Sequence, residues 1–214
     1  MAVKPALSLS LAIAAGLAGY LWFQGVAPPS QPLTRTPVVA QVLDDPGSPA
    51  VGATAPDVTV VVFTDYRCPI CKRTEPALDR LLASDPKVRV VWKDWPIRGP
   101  ASDLAARTAL AADRQGRYAA VHAALMAARG ELTPARIADI AARAGVDPAR
   151  LAASLRDDAR AIDAQLAGHR TQAFSLGLQG TPAYLVGPYL IQGGLDDRAL
   201  AAAVRRARRA GPPR

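Results

Sequence analysis

The feature that most constrains this 214-residue chain is its single pair of cysteines, Cys68 and Cys71, which are separated by two residues. The apolar run at residues 58–63 predicts a buried β-strand before the pair, and residues 67–82 predict a helix. Cys68 therefore lies at a helix start, where free backbone N–H groups and the positive end of the helix dipole stabilise a thiolate. This arrangement is typical of dithiol–disulfide exchange chemistry.

Two other interpretations of the cysteine pair are open. A structural disulfide would close a loop of only four residues, which removes little entropy from the unfolded chain. A closed zinc site needs four ligands, and with no third cysteine it would require both histidines, His122 and His169, to converge on the pair. The spacing therefore favours redox chemistry, and we expect neither a metal site nor a bound cofactor.

The amino-terminal segment is predicted to lie outside the folded domain. Residues 6–23 carry no charge, follow Lys4, and are just long enough to span a thin membrane as a helix. Three aromatic residues at the far end of this run suit the membrane interface. We therefore interpret residues 1–25 as an uncleaved membrane anchor, with the rest of the protein exported across the membrane. A cleavable signal peptide is the alternative.

Residues 26–57 are rich in proline and lack periodicity, which predicts a semi-extended tether whose residues 38–43 add an edge strand to the sheet. Export agrees with the cysteine pair, because an oxidising compartment can hold a disulfide. The formal net charge is +8, and four arginines crowd the last helix. We interpret these arginines as solvated side chains whose positive charges interact favourably with the negative end of the helix dipole. We expect no nucleic-acid partner in an exported protein.

The order of predicted elements indicates the fold class. A strand at residues 87–92 follows the C-x-x-C helix, about seventy residues then predict helices only, and a β-hairpin and a final helix close the chain. This order predicts an α/β protein with a thioredoxin fold over residues 58–98 and 177–210. The residues between, 99–176, form an inserted all-helical subdomain.

Two signatures support a family resemblance: FTDYRCPIC at residues 63–71 and GTP at residues 180–182. Together they resemble the active-site motif and the cis-proline loop of the DsbA-like family of exported bacterial thiol–disulfide oxidoreductases. The similarity runs from about residue 45 to 203. It implies that Pro182 is cis and lies against the disulfide, and that the backbone of Thr181 binds an extended substrate strand.

The residues of the C-x-x-C motif have distinct predicted roles. Cys68 is predicted to be the exposed nucleophile, and Cys71, one turn further along, the buried thiol that resolves mixed disulfides. Pro69 fixes the backbone at the helix start. Ile70 stands where the most oxidising members of the family carry histidine, and it offers neither a charge nor a hydrogen-bond donor. We therefore expect a Cys68 pKa below that of a free thiol, with an intermediate redox potential.

Acidic side chains give weaker signals. Glu75, one helical turn beyond Cys71, is a candidate proton relay for the inner thiol, and an exposed carboxylate near Lys72 is the alternative. Val62 stands at a position that is often acidic in thioredoxin-fold enzymes, so no buried acid is expected on that strand. Asp65 is expected to pair or stay solvated.

Two basic side chains in the middle of the chain are expected to be structural. Lys93 lies near a strand end, where it is expected to pair or to stay solvated. His122 falls on an apolar helix face, which predicts a satisfied core histidine rather than a catalytic one.

The resemblance implies an enzyme that introduces disulfides into unfolded or thiol-containing exported proteins on the periplasmic side of the inner membrane. A quinone-linked membrane reoxidase would then restore its disulfide. One alternative is a reductase or isomerase that a membrane electron donor keeps reduced. The other is a membrane-tethered metallochaperone that binds a soft ion such as Cu(I) through both sulfurs.

Overall fold

A six-stranded sheet organises the structure, a computed structural model that describes residues 29–211. The predicted anchor or signal peptide, residues 1–25, lies outside the described residues. Between residues 29 and 211, no helix combines the length and the apolar character needed to cross a membrane. The elements in chain order are β1 (Ser30–Pro32), α1 (Pro37–Leu43), β2 (Ala50–Gly52), β3 (Val58–Thr64), α2 (Pro69–Ser84), β4 (Val88–Asp94), α3 (Pro100–Asp113), α4 (Tyr118–Ala127), α5 (Pro134–Arg143), α6 (Pro148–Asp157), α7 (Ala159–Ser175), β5 (Ala183–Val186), β6 (Tyr189–Gln192) and α8 (Asp197–Ala210).

The sheet brings two separate parts of the chain together. Its strand order is β1-β6-β5-β3-β4-β2, in which β3 and β4 are parallel and the other neighbours antiparallel. Phe63, near the end of β3, pairs with Ala183, the first residue of β5. The segment that leads into Cys68 therefore lies beside the segment that follows Pro182, although more than a hundred residues separate them in sequence.

Both faces of the central strand β3 are covered. Its side chains alternate between two apolar clusters, because successive residues of a strand point to opposite faces of the sheet. Val60 and Val62 pack with α2, α8 and the helical block, whereas Val61 and Phe63 pack with α1 and residues around the end of α7. This double coverage explains why β3 is a nearly continuous run of apolar residues.

Five helices, α3 to α7, occupy the chain between β4 and β5, as the sequence predicts for the middle of the chain. Helix α3 lies at the centre of this block and contacts the other four. Its buried positions are mostly alanine, and such small side chains allow neighbouring helices to approach closely. Helix α4 packs on α2, so the block also touches the helix that carries the cysteines.

The amino-terminal part of the described chain differs from the prediction. The edge strand predicted at residues 38–43 is wrong, because Pro37–Leu43 forms a helix. Thr36 caps this helix by accepting a hydrogen bond from the Val39 N–H at 3.3 Å, and Val39 and Val42, three residues apart, are buried in the core. Within residues 29–57, the described part of the predicted tether, β1 and β2 form the two edges of the sheet.

A buried ion pair joins this segment to the core. The ammonium group of Lys93, on β4, is fully buried and pairs with the carboxylate of Asp45, and it donates to Ser48 Oγ at 2.9 Å. Ser48 Oγ also lies 3.0 Å from Nε2 of the buried His169 on α7. The prediction that Lys93 pairs is therefore confirmed. Its partner comes from a segment in which the sequence predicts no fixed structure.

Removing the carboxylate of Asp45 tests this connection. Because Asp45→Ala leaves a fully buried ammonium group without its partner, we expect the free energy of unfolding to fall by about 3–5 kcal/mol. The double variant Asp45→Ala/Lys93→Met removes both charges and should recover most of that loss. Urea unfolding of the purified proteins measures both effects.

The neighbouring Asp44 provides a matched control. Its carboxylate pairs with Arg35, and both side chains are exposed, so Asp44→Ala should change the free energy of unfolding by no more than about 1 kcal/mol. Equal losses for the Asp45 and Asp44 variants would contradict a core role for Lys93.

Candidate active site

The cysteine pair lies at the junction between β3 and α2. Cys68 is the N-cap residue of α2, with extended backbone angles, and its sulfur accepts a hydrogen bond from the Cys71 N–H at 3.4 Å. Pro69 occupies the first helical position, where no backbone N–H is needed. Cys71 lies one turn further along on the buried face of the helix. Both cysteines are free thiols in this structure.

The loop before β5 completes the site from the other side. The Thr181–Pro182 peptide bond is cis, as predicted. The carbonyl oxygen of Thr181 lies 3.2 Å from the Cys68 sulfur. The predicted contact between this loop and Cys68 is therefore confirmed, and it follows from the pairing of β3 with β5.

Exposure does not distinguish the two cysteines. Cys68 is only 2% exposed and Cys71 is 1% exposed, so the prediction of an exposed Cys68 is wrong for the reduced protein. The cis-proline loop contacts Cys68 through the Thr181 carbonyl oxygen and contributes to its burial. The difference between the two sulfurs is electrostatic.

The two thiols have opposite pKa shifts. The pKa of Cys68 is lowered to about 5, chiefly because the Cys71 thiol donates a hydrogen bond to the Cys68 sulfur. Burial opposes this shift, and the backbone N–H groups of Cys71 and Ile70 add to it. The pKa of Cys71 is raised by the same hydrogen bond and by burial. Cys68 is therefore the thiolate at neutral pH and Cys71 remains a thiol.

Ile70 lies at the rim of the site. Its side chain is 39% exposed, and a Cβ atom placed on Gly194 would lie 2.8 Å from the Ile70 Cγ2 atom. The loop after β6 thus packs closely against Ile70 through a residue without a side chain. Ile70 therefore presents apolar surface at the rim of the site and supplies neither a charge nor a hydrogen-bond donor to the Cys68 sulfur.

Asp65 holds the turn before Cys68 in place. Its buried carboxylate accepts four hydrogen bonds, from the backbone N–H groups of Arg67, Ile97 and Arg98 at 2.7, 2.8 and 3.0 Å, and from Ser102 Oγ at 2.7 Å. The expectation that Asp65 pairs with a cation or stays solvated is therefore wrong. It joins the active-site turn to the loop after β4, and nothing in its own sequence surroundings indicates those distant donors.

Glu75 is buried behind the cysteines. Its Oε1 atom accepts a hydrogen bond from Trp92 Nε1 at 3.3 Å and lies 2.8 Å from His122 Nε2. The alternative of an exposed carboxylate near Lys72 is wrong, because the Lys72 ammonium group donates to backbone carbonyls at the end of α4. The position of Glu75 agrees with a role close to the inner thiol, which stays a proposal.

His122 lies within a buried polar chain. Its Nδ1 atom is 2.9 Å from the Tyr66 hydroxyl, and its ring stacks on Tyr118 with centroids 5.6 Å apart. Tyr118 in turn donates to Asp94 Oδ2 at 3.0 Å, and burial raises the pKa of Asp94 to about 6. The predicted burial of His122 is confirmed. The buried Asp94, an acid on β4 rather than on β3, is not predicted from the sequence, because the end of an apolar strand gives no sign of burial.

The histidines do not converge on the cysteines. His122 binds Glu75 and Tyr66, and His169 lies against Ser48 and the carbonyl oxygen of Asp94. In the part of the chain that the structure describes, no group of three or more His, Cys, Asp or Glu side chains could hold a metal ion. The arrangement of the two thiols is suited to forming and breaking a disulfide.

Comparison with known proteins identifies the family. Residues 59–205 match the family model described as a DSBA-like thioredoxin domain. The chain belongs to the DSBA-like thioredoxin family. The match covers β3 to α8, and with the described elements it confirms the predicted α/β thioredoxin fold with inserted helices.

Solved structures resemble this DSBA-like chain over most of its length. A thioredoxin-like oxidoreductase from Silicibacter pomeroyi DSS-3 is 39% identical, with a TM-score of 0.76, over 79% of this chain and 97% of that one. A periplasmic thioredoxin-like protein from Salmonella enterica serovar Typhimurium is 32% identical (TM-score 0.69; 80% and 96% covered). The thiol-disulfide exchange protein alpha-DsbA2 from Wolbachia pipientis is 30% identical (TM-score 0.74; 78% and 90% covered).

The curated relatives are longer proteins. The Na(+)/H(+) antiporter NhaA 1 of Salinispora arenicola is 32% identical over 149 residues, which are 69% of this chain but only 22% of the antiporter. The DSBA-like chain therefore spans about a fifth of the length of the curated relatives that it matches.

The low pKa of Cys68 predicts a pH-dependent stability of the reduced protein. Below about pH 5 the sulfur is protonated in the folded and the unfolded chain, so it contributes nothing. Between pH 5 and the ordinary thiol value of 9.0, only the folded chain carries the thiolate, and stability rises with pH. Urea unfolding of the reduced and oxidised proteins at two pH values measures this effect.

We expect the free energy of unfolding of the reduced protein, relative to the oxidised one, to increase by about 3 kcal/mol between pH 4.5 and 7.5. Comparing two redox forms of one chain cancels the titration of the other groups. The reduced Cys68→Ala variant is the control and should lose the pH-dependent gain. A constant difference between the redox forms across this pH range would argue against a stabilised thiolate.

Proposed function

We propose that the protein is a thiol–disulfide oxidoreductase that forms disulfides in exported proteins through Cys68 and Cys71. One observation carries this proposal. A cysteine with a pKa of about 5 caps the start of α2, contacts the cis-proline loop, and has a second, protonated thiol one turn away. A thiolate so stabilised is a good leaving group, which makes the disulfide form oxidising.

The proposed reaction has two exchange steps. A substrate thiolate attacks the sulfur of Cys68 in the oxidised enzyme, the Cys68–Cys71 bond breaks, and the Cys71 sulfur leaves and takes up a proton. A second substrate thiolate then attacks the substrate sulfur of the mixed disulfide and releases Cys68 as a thiolate. The substrate loses two electrons, which the enzyme gains. A membrane quinone-linked reoxidase is the proposed acceptor of those electrons.

The surrounding residues have proposed supporting roles. Thr181 and Pro182 are proposed to bind the main chain of an extended substrate, since the Thr181 carbonyl already contacts the reactive sulfur. Pro69 keeps the helix start in position. Glu75, buried one turn beyond Cys71, is proposed to help exchange the Cys71 proton with solvent.

The proposed domain division follows from the site. Residues 58–98 and 177–210 are proposed as the catalytic thioredoxin-fold domain, because they supply both cysteines and the proline loop. Residues 99–176 are proposed as an insertion that supports this domain through His122 and Tyr118.

The proposed location is the periplasmic side of the inner membrane. The uncharged run at residues 6–23 supports export, and the similar Salmonella protein is periplasmic.

The low pKa of Cys68 favours the oxidase direction over a reductase or isomerase. Acid trapping and alkylation of the cysteines in growing cells separates these directions, since an oxidase is found mostly as the disulfide and a reductase mostly as the dithiol.

Single serine variants test the assignment of the two cysteines. Cys68→Ser removes the thiolate and should abolish disulfide exchange with a dithiol peptide. Cys71→Ser keeps the Cys68 thiolate, which can attack the disulfide of an oxidised peptide and release one peptide thiolate. Without Cys71 to resolve it, the mixed disulfide on Cys68 should accumulate. Mass spectrometry of the trapped adducts identifies the attached sulfur. Adducts on Cys71 and none on Cys68 would reverse the assignment.

Ile70→His tests the control of redox potential. A histidine beside the sulfurs adds a donor and, when protonated, a positive charge, and both favour the thiolate. We expect the equilibrium with glutathione to shift several-fold towards the reduced enzyme. Ile70→Leu, which keeps the apolar character, is the control and should leave the equilibrium close to wild type. An unchanged equilibrium in the histidine variant would mean that the thiolate is controlled elsewhere.

A further inference from the structure

A cleft of about 490 Å³ lies beside the reactive cysteine and is not used by the proposed exchange steps. One wall is the active-site turn and the start of α2, and the other is the loop between α4 and α5. Its size is within the range of ligand-binding pockets. The lining residues are Tyr66, Arg67, Pro69, Lys72, Ala128, Arg129, Gly130, Glu131 and Leu132.

The charges around this cleft are mostly positive. Arg67, Lys72 and Arg129 line it, against a single carboxylate, that of Glu131. One further arginine is adjacent, since the Arg136 guanidinium donates to the carbonyl oxygen of Glu131 at 3.0 Å. These four basic groups share one feature. Among the ion pairs formed within residues 29–211, none involves any of them.

Lys72 is influenced by the other positive charges around the cleft. Its half-buried ammonium group donates to the carbonyl oxygens of Leu125 and Ala128 at 2.6 and 3.0 Å, at the end of α4. Burial, together with the charges of Arg129 and Arg136, lowers the pKa of Lys72 to about 8. The cations therefore repel one another across the cleft. An incoming carboxylate would relieve this repulsion.

We propose that the cleft binds an acidic stretch of the substrate polypeptide next to the cysteine under attack. This inference rests on the proposed function and adds charge selection to the sequence-independent main-chain contact at Thr181. A polypeptide fits the site because the cleft begins at the residues on either side of Cys68, so a chain held at the sulfur passes directly into it. Charge complementarity of this kind acts mainly on the rate of association.

Matched dithiol peptides test the proposal. The full protein, in its oxidised form, reacts with two peptides that share one Cys-containing core and carry three glutamates or three lysines beside it. Flanking charges change the reactivity of the peptide thiols, so each rate is divided by the rate of the same peptide with an uncharged small disulfide. We expect the corrected kcat/KM to favour the acidic peptide by at least about tenfold at low salt, and high salt to reduce this preference to near unity.

Arg129→Glu tests the assignment to the cleft. It should reduce the preference for the acidic peptide at least about tenfold, because the reversed charge lies on the wall opposite Lys72 and repels a carboxylate in the cleft. Arg160→Glu is the matched control and should leave the preference unchanged. Arg160 is exposed in the first turn of α7, beside Asp158, which pairs with Arg114 at the end of α3 far from the cysteines.

The outcomes separate this inference from the proposed function. Oxidation of dithiothreitol, an uncharged dithiol, reports the exchange chemistry alone. If wild type oxidises dithiothreitol but shows no salt-sensitive peptide preference, or if Arg129→Glu keeps the full preference, the cleft inference is overturned and the proposed function stands. If wild type does not oxidise dithiothreitol, both fail. The salt dependence of the peptide preference in the wild-type protein tests the cleft inference even if the Arg129→Glu variant does not fold.

Discussion

The electrostatic coupling between the two cysteine side chains, one helical turn apart at the start of α2, is the interaction on which the chemistry of this protein depends. It places the negative charge on Cys68 and the proton on Cys71, so that two residues of one type acquire opposite pKa shifts. The start of α2 supports the charge on Cys68 through backbone N–H groups. Burial acts against the thiolate, and without these donors the same position would hold an inert thiol.

The rest of the fold serves to hold that interaction in place. Pairing of β3 with β5 brings Thr181 to the reactive sulfur, and Asp65 fastens the turn before it through four hydrogen bonds. Behind the helix, Glu75 and His122 join α2 to the inserted helices through buried polar contacts. Unsatisfied groups at such positions would cost about 1–3 kcal/mol each, so these contacts restrict how the helix can shift. The site is therefore rigid where the sulfurs meet, and its cationic cleft is open on one side.

Local patterns in the sequence predict the strand and the helix start beside the cysteines, whereas the cis proline was implied only by the resemblance to the DsbA-like family. The helix at Pro37–Leu43 was missed since its seven residues lie among prolines, and its burial depends on a distant partner surface. The burial of Asp65 was not predicted, and the two alternatives for Glu75 stayed open, for a related reason. A carboxylate in a short motif looks solvated unless the donors that surround it, such as Ser102 or His122, can be placed in space. The low exposure of Cys68 likewise depends on a loop more than a hundred residues away.

Titration of the thiolate absorbance in the ultraviolet tests the central claim most directly, because it reports the charge on Cys68 without any substrate. The reduced wild-type protein should show a transition centred near pH 5, which is absent in Cys68→Ser. In Cys71→Ala, which removes the donating thiol, the transition should move to higher pH, since the Cys71 side chain is the main cause of the shift. A wild-type transition near pH 9.0, the ordinary thiol value, would contradict the account.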